Sequence, residues 1–114
     1  MNGGVKQGDI IKLDMGSGLG HERHGYRPAI VVSNTSLSRA SKLTIICPIT
    51  NTDRKSPLHV RLDGLATTGF VMCEQVKAVD LNKRRHEWVE TVSDDILWDI
   101  CDIIQGSVEV ETVV

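Results

Sequence analysis

Apolar and polar positions alternate along most of this chain, and that alternation predicts a sheet protein closed by one helix. Residues 8–15 read as a first strand, with Ile11, Leu13 and Met15 on one face and Lys12 and Asp14 on the other. Arg27 to Ser33 reads as a second strand. Pro28 has no N–H for a ladder and belongs at its beginning, and the run Ala29, Ile30, Val31, Val32 predicts cover on both faces. Residues 34–42 are polar and serine-rich, a loop with room for one helical turn around Leu37. Residues 43–50 form a third strand, in which Pro48 implies an edge or a bulge. Residues 57–63 alternate most cleanly, with Leu58, Val60 and Leu62 inward and His59, Arg61 and Asp63 on an outer face. A fifth strand covers residues 70–76 and a short further one residues 87–91. The period then changes. Ser93 caps a helix over residues 94–105, Asp94 and Asp95 fill its first turn, and Ile96, Leu97, Ile100, Ile103 and Ile104 recur at helical spacing. Gly106 supplies its stop, and residues 107–114 read as a frayed tail.

Five or six short strands followed by a helix describe a mainly β fold, a small and partly open barrel or curled sheet with a C-terminal α-helix on its side. The chain's 114 residues suit one domain, 1–114, with its core at about 6–106. One helix covers little of such a sheet, so a leftover apolar face buried by self-association is expected. Composition changes this picture only slightly. The net charge of −2 does not mark a nucleic-acid binder, so such a function needs a locally basic surface. Cys47, Cys73 and Cys101 are odd in number and widely spaced, which fits small core residues in a reducing compartment. No apolar run approaches the ~20 residues of a membrane span, and the opening residues form no signal peptide. A cytoplasmic protein without membrane contact is expected.

Candidate chemistry gathers at the start of the second strand. Gly16, Gly18 and Gly20 make a hinge, and no helix with a Gly-Lys-Ser/Thr start follows, so a mobile flap over a groove is expected rather than a nucleotide cradle. The loop beyond it carries Glu22, Arg23 and His24, with Gly25 as a pivot, and Arg27 stands at the loop-to-strand joint. There the scaffold holds a guanidinium toward a cleft, which suits phosphate recognition. RNA cleavage needs a base for the 2′-hydroxyl, an acid for the leaving 5′-oxygen, and donors for the added charge on phosphorus. Arg27 suits the last role, with the Thr50 hydroxyl as a short neutral donor, and Glu22 or His24 is the candidate base. Glu74 and Gln75 point to opposite faces of a strand, so only one looks into a given groove unless a bulge intervenes. Lys83, Arg84, Arg85 and His86 read as a solvated turn, the His59 and Arg61 stripe as an outer face, and Trp88 and Trp98 as core or interface anchors. With neither a His-x-x-x-His pair nor an Asp-rich cluster, no metal and no cofactor is expected.

Four motifs, in order, resemble the MazF/PemK (Kid-type) toxins of bacterial toxin–antitoxin modules. They are Gly8-Asp9-Ile10, the run from Gly20 to Pro28, Pro48-Ile49-Thr50, and the stretch from Thr67 to Gln75. The resemblance covers residues 6–105. It implies a homodimeric SH3-like barrel of five to seven strands, an endoribonuclease toxin cutting single-stranded RNA at particular sequences without metal and leaving 2′,3′-cyclic phosphate and 5′-hydroxyl ends. It implies catalytic roles for Arg27 and Thr50, the loop glutamate at Glu22, and base contacts at Glu74 and Gln75. Arg23, His24 and Lys77 join these as RNA contacts, and an acidic, disordered antitoxin tail is the implied partner. Arg23 stands in place of the family's glutamine, and Met72 in place of an arginine that some members carry. The rival readings are a gyrase-inhibiting toxin or a non-catalytic nucleic-acid-binding module on the same fold.

Overall fold

The computed structural model describes residues 4–16 and 25–112. Its strands are β1 Asp9–Asp14, β2 Tyr26–Val31, β3 Thr44–Thr50, β4 His59–Leu62, β5 Gly69–Met72, β6 Lys77–Val79 and β7 His86–Thr91, and its helices are α1 Thr35–Ser41 and α2 Asp94–Ser107. All pairings are antiparallel, in the order β4-β5-β3-β2-β1-β7, with β6 also on β3.

β3 is the hub, and Pro48 explains how. On one side β3 pairs with β2, from Ala29–Pro48 to Val31–Ile46. On the other it pairs with β6 up to Ile46 and with β5 from Ile49 onward. Pro48 falls in the gap between those two partners, where its missing N–H costs no ladder bond. It is therefore neither on an edge strand nor at a strand end; it marks the place where one partner hands over to the next.

The predicted strand over 70–76 is interrupted at the same gap. Ile49 pairs with Val71 and Ile46 with Lys77, so six steps along the outer segment face three along β3. A 3-10 turn, Cys73–Gln75, takes up the surplus. That is the bulge needed to free Glu74 and Gln75 from strict alternation.

The two outermost strands, β4 and β7, form no ladder with each other, so the barrel is left partly open. Glu90 of β7 bridges toward the loop after β4, its carboxylate accepting the Ala66 N–H at 3.2 Å and the Thr67 N–H at 2.6 Å.

Alternation gives the sheet two packed faces. Ile10, Ile30, Cys47, Ile49, Val71 and Ile100 form one core with α2 across it, while Ile11, Leu13, Ala29, Val31, Ile46 and Val79 form the other. Cys47 and Cys73 are buried and Cys101 is half-buried, all three as free thiols.

Four expectations are corrected. Residues 34–42 hold a two-turn helix, α1, which buries no residue and so leaves no apolar period to read. It stands on its caps, Asn34 Oδ1 accepting the Leu37 N–H at 2.9 Å and Lys42 turning left-handed with φ 65°. α2 runs through Gly106 to Ser107, whose hydroxyl donates to the Ile103 and Ile104 carbonyls at 3.0 and 2.8 Å and closes the last turn. Trp88 and Trp98, expected as core or interface anchors, are 60% and 65% exposed in this chain, which overturns the core half of that expectation and leaves the interface half standing. Leu58 precedes β4 and is exposed, whereas the His59 side chain is only 3% exposed, because the Cys73–Gln75 turn places Glu74 against it.

Candidate active site

Continuing the β2–β3 register by two residues beyond Ala29–Pro48 sets Arg27 opposite Thr50. The ladder itself ends at Ala29–Pro48, because Pro28 has no N–H with which to continue it. Thr50 in turn pairs with Phe70 and Phe70 with Arg61, and on the other side Arg27 pairs with Leu13. Residues opposite one another across a sheet share a face. Leu13, Arg27, Thr50, Phe70 and Arg61 therefore form one row across five strands, on the face away from α2. Met72 and His59 form the pair next to it.

The row is exposed at Arg27 and closed at Thr50, which is 3% exposed. Thr50 Oγ1 accepts the Thr52 N–H at 3.2 Å, which fixes the position of the oxygen. Gly69 lies against the Thr50 backbone with φ +119°. A Cβ there would run into the Thr50 carbonyl oxygen and come within 3.0 Å of Asn51 Oδ1. Only glycine permits that approach. Thr68 donates its hydroxyl to Asn51 Oδ1 at 3.1 Å, so the β4–β5 loop is tied to the end of β3 at two adjoining residues. Glu90 holds the same loop from the far edge of the sheet. A side-chain hydrogen bond from Thr67 is the largest influence on Glu90, and with the two backbone N–H bonds it outweighs desolvation, leaving the carboxyl below its ordinary value.

Glu74 projects from the 3-10 turn and meets His59 Nε2 at 3.1 Å. A carboxylate only accepts, so Nε2 carries the proton, and Nδ1 is buried with no hydrogen-bond partner among the described residues. Desolvation, the largest single influence on Glu74, raises its carboxyl. The His59 bond and the turn's own donors act together against it and leave the net shift downward. Gln75 is exposed beside it. Lys77 pairs with Ile46, four residues and about 13 Å along β3 from Thr50. The basic turn lies at the start of β2. Arg84 Nη1 donates to the Asp14 carbonyl at 3.1 Å, and the Arg85 guanidinium sits 5.1 Å from the Tyr26 ring centre. Tyr26 precedes Arg27, so alternation turns its ring to the opposite face and sets this cluster beside the row rather than in it.

Glu22, Arg23 and His24 lie outside the described residues. The feet of their loop are tied, Met15 N–H donating to the Gly25 carbonyl at 3.2 Å. Among the described residues no group of three or more His, Cys, Asp or Glu side chains could hold a metal ion. Burial pushes the Cys47 thiol up to about 12 and the Cys73 thiol up to about 11, so both stay protonated as packing groups.

Sequence reading left His59 and Arg61 as an outer face and did not connect them, or Phe70, Gly69 and Glu90, with the surroundings of Arg27 and Thr50. The alternation over 57–63 did carry a signal, because it put His59 and Arg61 on one face. What it lacked was the register that makes this the face of Arg27 and Thr50.

A family model of PemK-like, MazF-like toxins of type II toxin–antitoxin systems matches residues 6–108. Endoribonuclease PemK of Escherichia coli is 30% identical over 101 residues, covering 84% of this chain and 76% of that protein. Endoribonuclease EndoA of Bacillus subtilis strain 168 is 28% identical over 109 residues, covering 90% and 93%. Crystal structures of MazF and of a MazE–MazF complex from Deinococcus radiodurans superpose with TM-scores of 0.78 and 0.79, at 25% and 26% identity, each covering 90% of this chain and 94% of theirs.

Proposed function

This chain belongs to the PemK-like, MazF-like toxins of type II toxin–antitoxin systems, and from that premise we propose that it is an endoribonuclease that cuts single-stranded RNA at particular sequences. The observation that carries this reading is the β2–β3 register, which when continued two residues past Ala29–Pro48 brings the exposed Arg27 and the buried Thr50 to the same face of the sheet. In the proposed reaction the RNA 2′-oxygen attacks the adjacent phosphorus, its proton passes to a base, and the bond from phosphorus to the 5′-oxygen breaks. That oxygen takes up a proton. The products are a 2′,3′-cyclic phosphate and a 5′-hydroxyl, and no step requires a metal.

Arg27 stabilises the charge that builds on the phosphorane oxygens, because its guanidinium is always charged and offers a planar set of donors. Thr50 adds a neutral donor at short range. Glu22 or His24 takes the 2′-proton. Met72, where some family members carry an arginine, is buried, so Arg27 bears the charge-stabilising role without that second cation.

Glu74 and Gln75 leave the sheet together at the 3-10 turn, which presents both toward unstacked bases. Arg23 and Lys77 hold neighbouring phosphates, which is how a chain of net charge −2 binds a polyanion. The active form is a homodimer in the cytoplasm, and a cognate antitoxin peptide neutralises it there. The MazE–MazF complex of the Deinococcus relative supports a partner of that kind.

The test is cleavage of end-labelled RNA in EDTA by the purified protein beside Arg27→Ala. Discrete cuts with cyclic-phosphate ends, reduced about 10³-fold in the variant, are expected. Intact RNA with the unaltered protein would move the function to a binding or gyrase-directed toxin on the same fold.

A further inference from the structure

A cavity of about 290 Å³ lies at the other end of β2, between α1, the chain before β1 and the turn after β6. Val31 is in its wall, four residues and about 13 Å along the strand from Arg27, so the cavity is separate from the row. With Val5 and Leu81, both buried, Val31 gives it an apolar floor. Lys6, Arg39 and Lys42 are exposed and supply the charges, and among the described residues no carboxylate lines the cavity. None of the three cations forms an ion pair with a described residue; such pairs are made by Lys12, Lys55 and Arg61. The neighbouring carboxylates are already engaged. Asp9 accepts the Lys6 backbone N–H and the Thr91 hydroxyl, and Asp80 accepts the Asn82 N–H.

Three like charges at one cavity repel one another, and an acid beside them would relieve this. The end of a helix favours cations, which accounts for Arg39 and Lys42 on α1 but not for Lys6, which comes from another part of the chain. Nor does capping call for a lysine at residue 42, where the left-handed φ of 65° favours glycine. Two hydroxyls complete the lining. Ser33 Oγ accepts the Ile45 N–H at 2.9 Å and shares a hydrogen with Ser38 Oγ at 3.1 Å. Two hydroxyls bring two hydrogens, so one remains for a further acceptor.

We propose that this cavity binds the diphosphate group of a small molecule, with the phosphates on Lys6, Arg39 and Lys42 and the organic part on Val5, Val31 and Leu81. Three cations match a diphosphate better than a carboxylate or one RNA phosphodiester, each of which carries a single charge. The volume and the apolar floor suit one small ligand, and a nucleoside diphosphate combines that charge with a ribose and base to cover the floor. The site stands apart from the endoribonuclease reading and uses neither Arg27 nor Thr50.

The test titrates the full chain, in EDTA and low salt, with adenosine diphosphate, pyrophosphate and adenosine, following heat release and Tm. Adenosine diphosphate is expected to bind and raise Tm, and adenosine to do neither. Lys42→Gly removes one cation and relaxes the left-handed backbone. It is expected to weaken adenosine diphosphate about tenfold without lowering the Tm of the free protein, a combination that a merely structural lysine would not give. Arg39→Ala is expected to weaken it by a similar factor, and Arg27→Ala to leave it unchanged. Tighter binding of adenosine diphosphate than of pyrophosphate is expected and identifies a nucleotide as the source of the diphosphate; equal affinities would identify free diphosphate. Affinity unchanged in both Lys42→Gly and Arg39→Ala, or lost in Arg27→Ala, would overturn the site. Absence of binding by both phosphates would also overturn it, and weaker binding of short random-sequence RNA by Lys42→Gly would then give the three cations to RNA.

Discussion

The face of the sheet beneath α2 and the face that carries Arg27 and Thr50 are built by the same strands, from alternate residues. Beneath the helix, Ile10, Ile30, Cys47, Ile49, Val71 and Ile100 pack apolar surface on apolar surface. At the open end of the other face, position is set by single polar ties and by one glycine. These are the Thr52 N–H on Thr50, Gly69 against the Thr50 carbonyl and Thr68 on Asn51, while Glu90, paired with Ile10 on the helix side, adds a tie to the loop N–H groups. Packing holds many residues approximately and at large energy. Directed bonds hold few residues, at about 1 kcal/mol each, but fix where an oxygen or a donor points. The proposed contact with a phosphate needs the second kind of constraint, on a scaffold made by the first.

Ile100→Ala strikes only the packed face. It should cost about 3–4 kcal/mol of stability in denaturant titration, while kcat well below the melting transition stays unchanged. Lost activity at full folding would show that the helix side also shapes the row.

Thr50→Val makes the converse cut, in nearly the same volume. Cleavage should fall about 10²-fold, with stability reduced by about 1 kcal/mol for the lost Thr52 bond. Activity near that of the unaltered protein would remove Thr50 from the chemistry.

Gly69→Ala tests whether strand approach at the row is as strict as the backbone implies. About 2 kcal/mol of destabilisation is expected, from strain at φ +119° and displacement of the Thr50 carbonyl, with a loss of cleavage to match. Glu90→Gln is the mildest, at about 1 kcal/mol, and its signature is pH dependence. Because the folded carboxyl lies below its ordinary 4.5, its contribution is complete above that value and disappears as pH falls through the folded one. The unaltered protein should therefore lose more stability on acidification than the glutamine variant. Parallel acid curves would show that the tie does not hold the two sheet edges together.

Much of this architecture was legible from residue order alone. Period-two alternation marks a buried face wherever a strand has one side on the core, which is why Ile11, Leu13, Val60 and Leu62 read correctly. The period of 3.6, with Ser93 as its cap, gave α2, and the four motifs named Arg27, Thr50, Glu74 and Gln75 as the proposed site. Of α1 only a single turn around Leu37 was legible, because a helix that buries nothing writes little pattern into the chain. The interruption at Cys73–Gln75 escaped because a surplus of three residues exists only relative to the partner strand.

Sequence by itself determined which residues face together within each strand, since side-chain direction follows from local backbone geometry. Tertiary structure decided which strands lie side by side and in what register, and no local period encodes that. It therefore made the His59 and Arg61 face the face of Arg27 and Thr50, covered His59 with Glu74, and placed Pro48 where β3 changes partners.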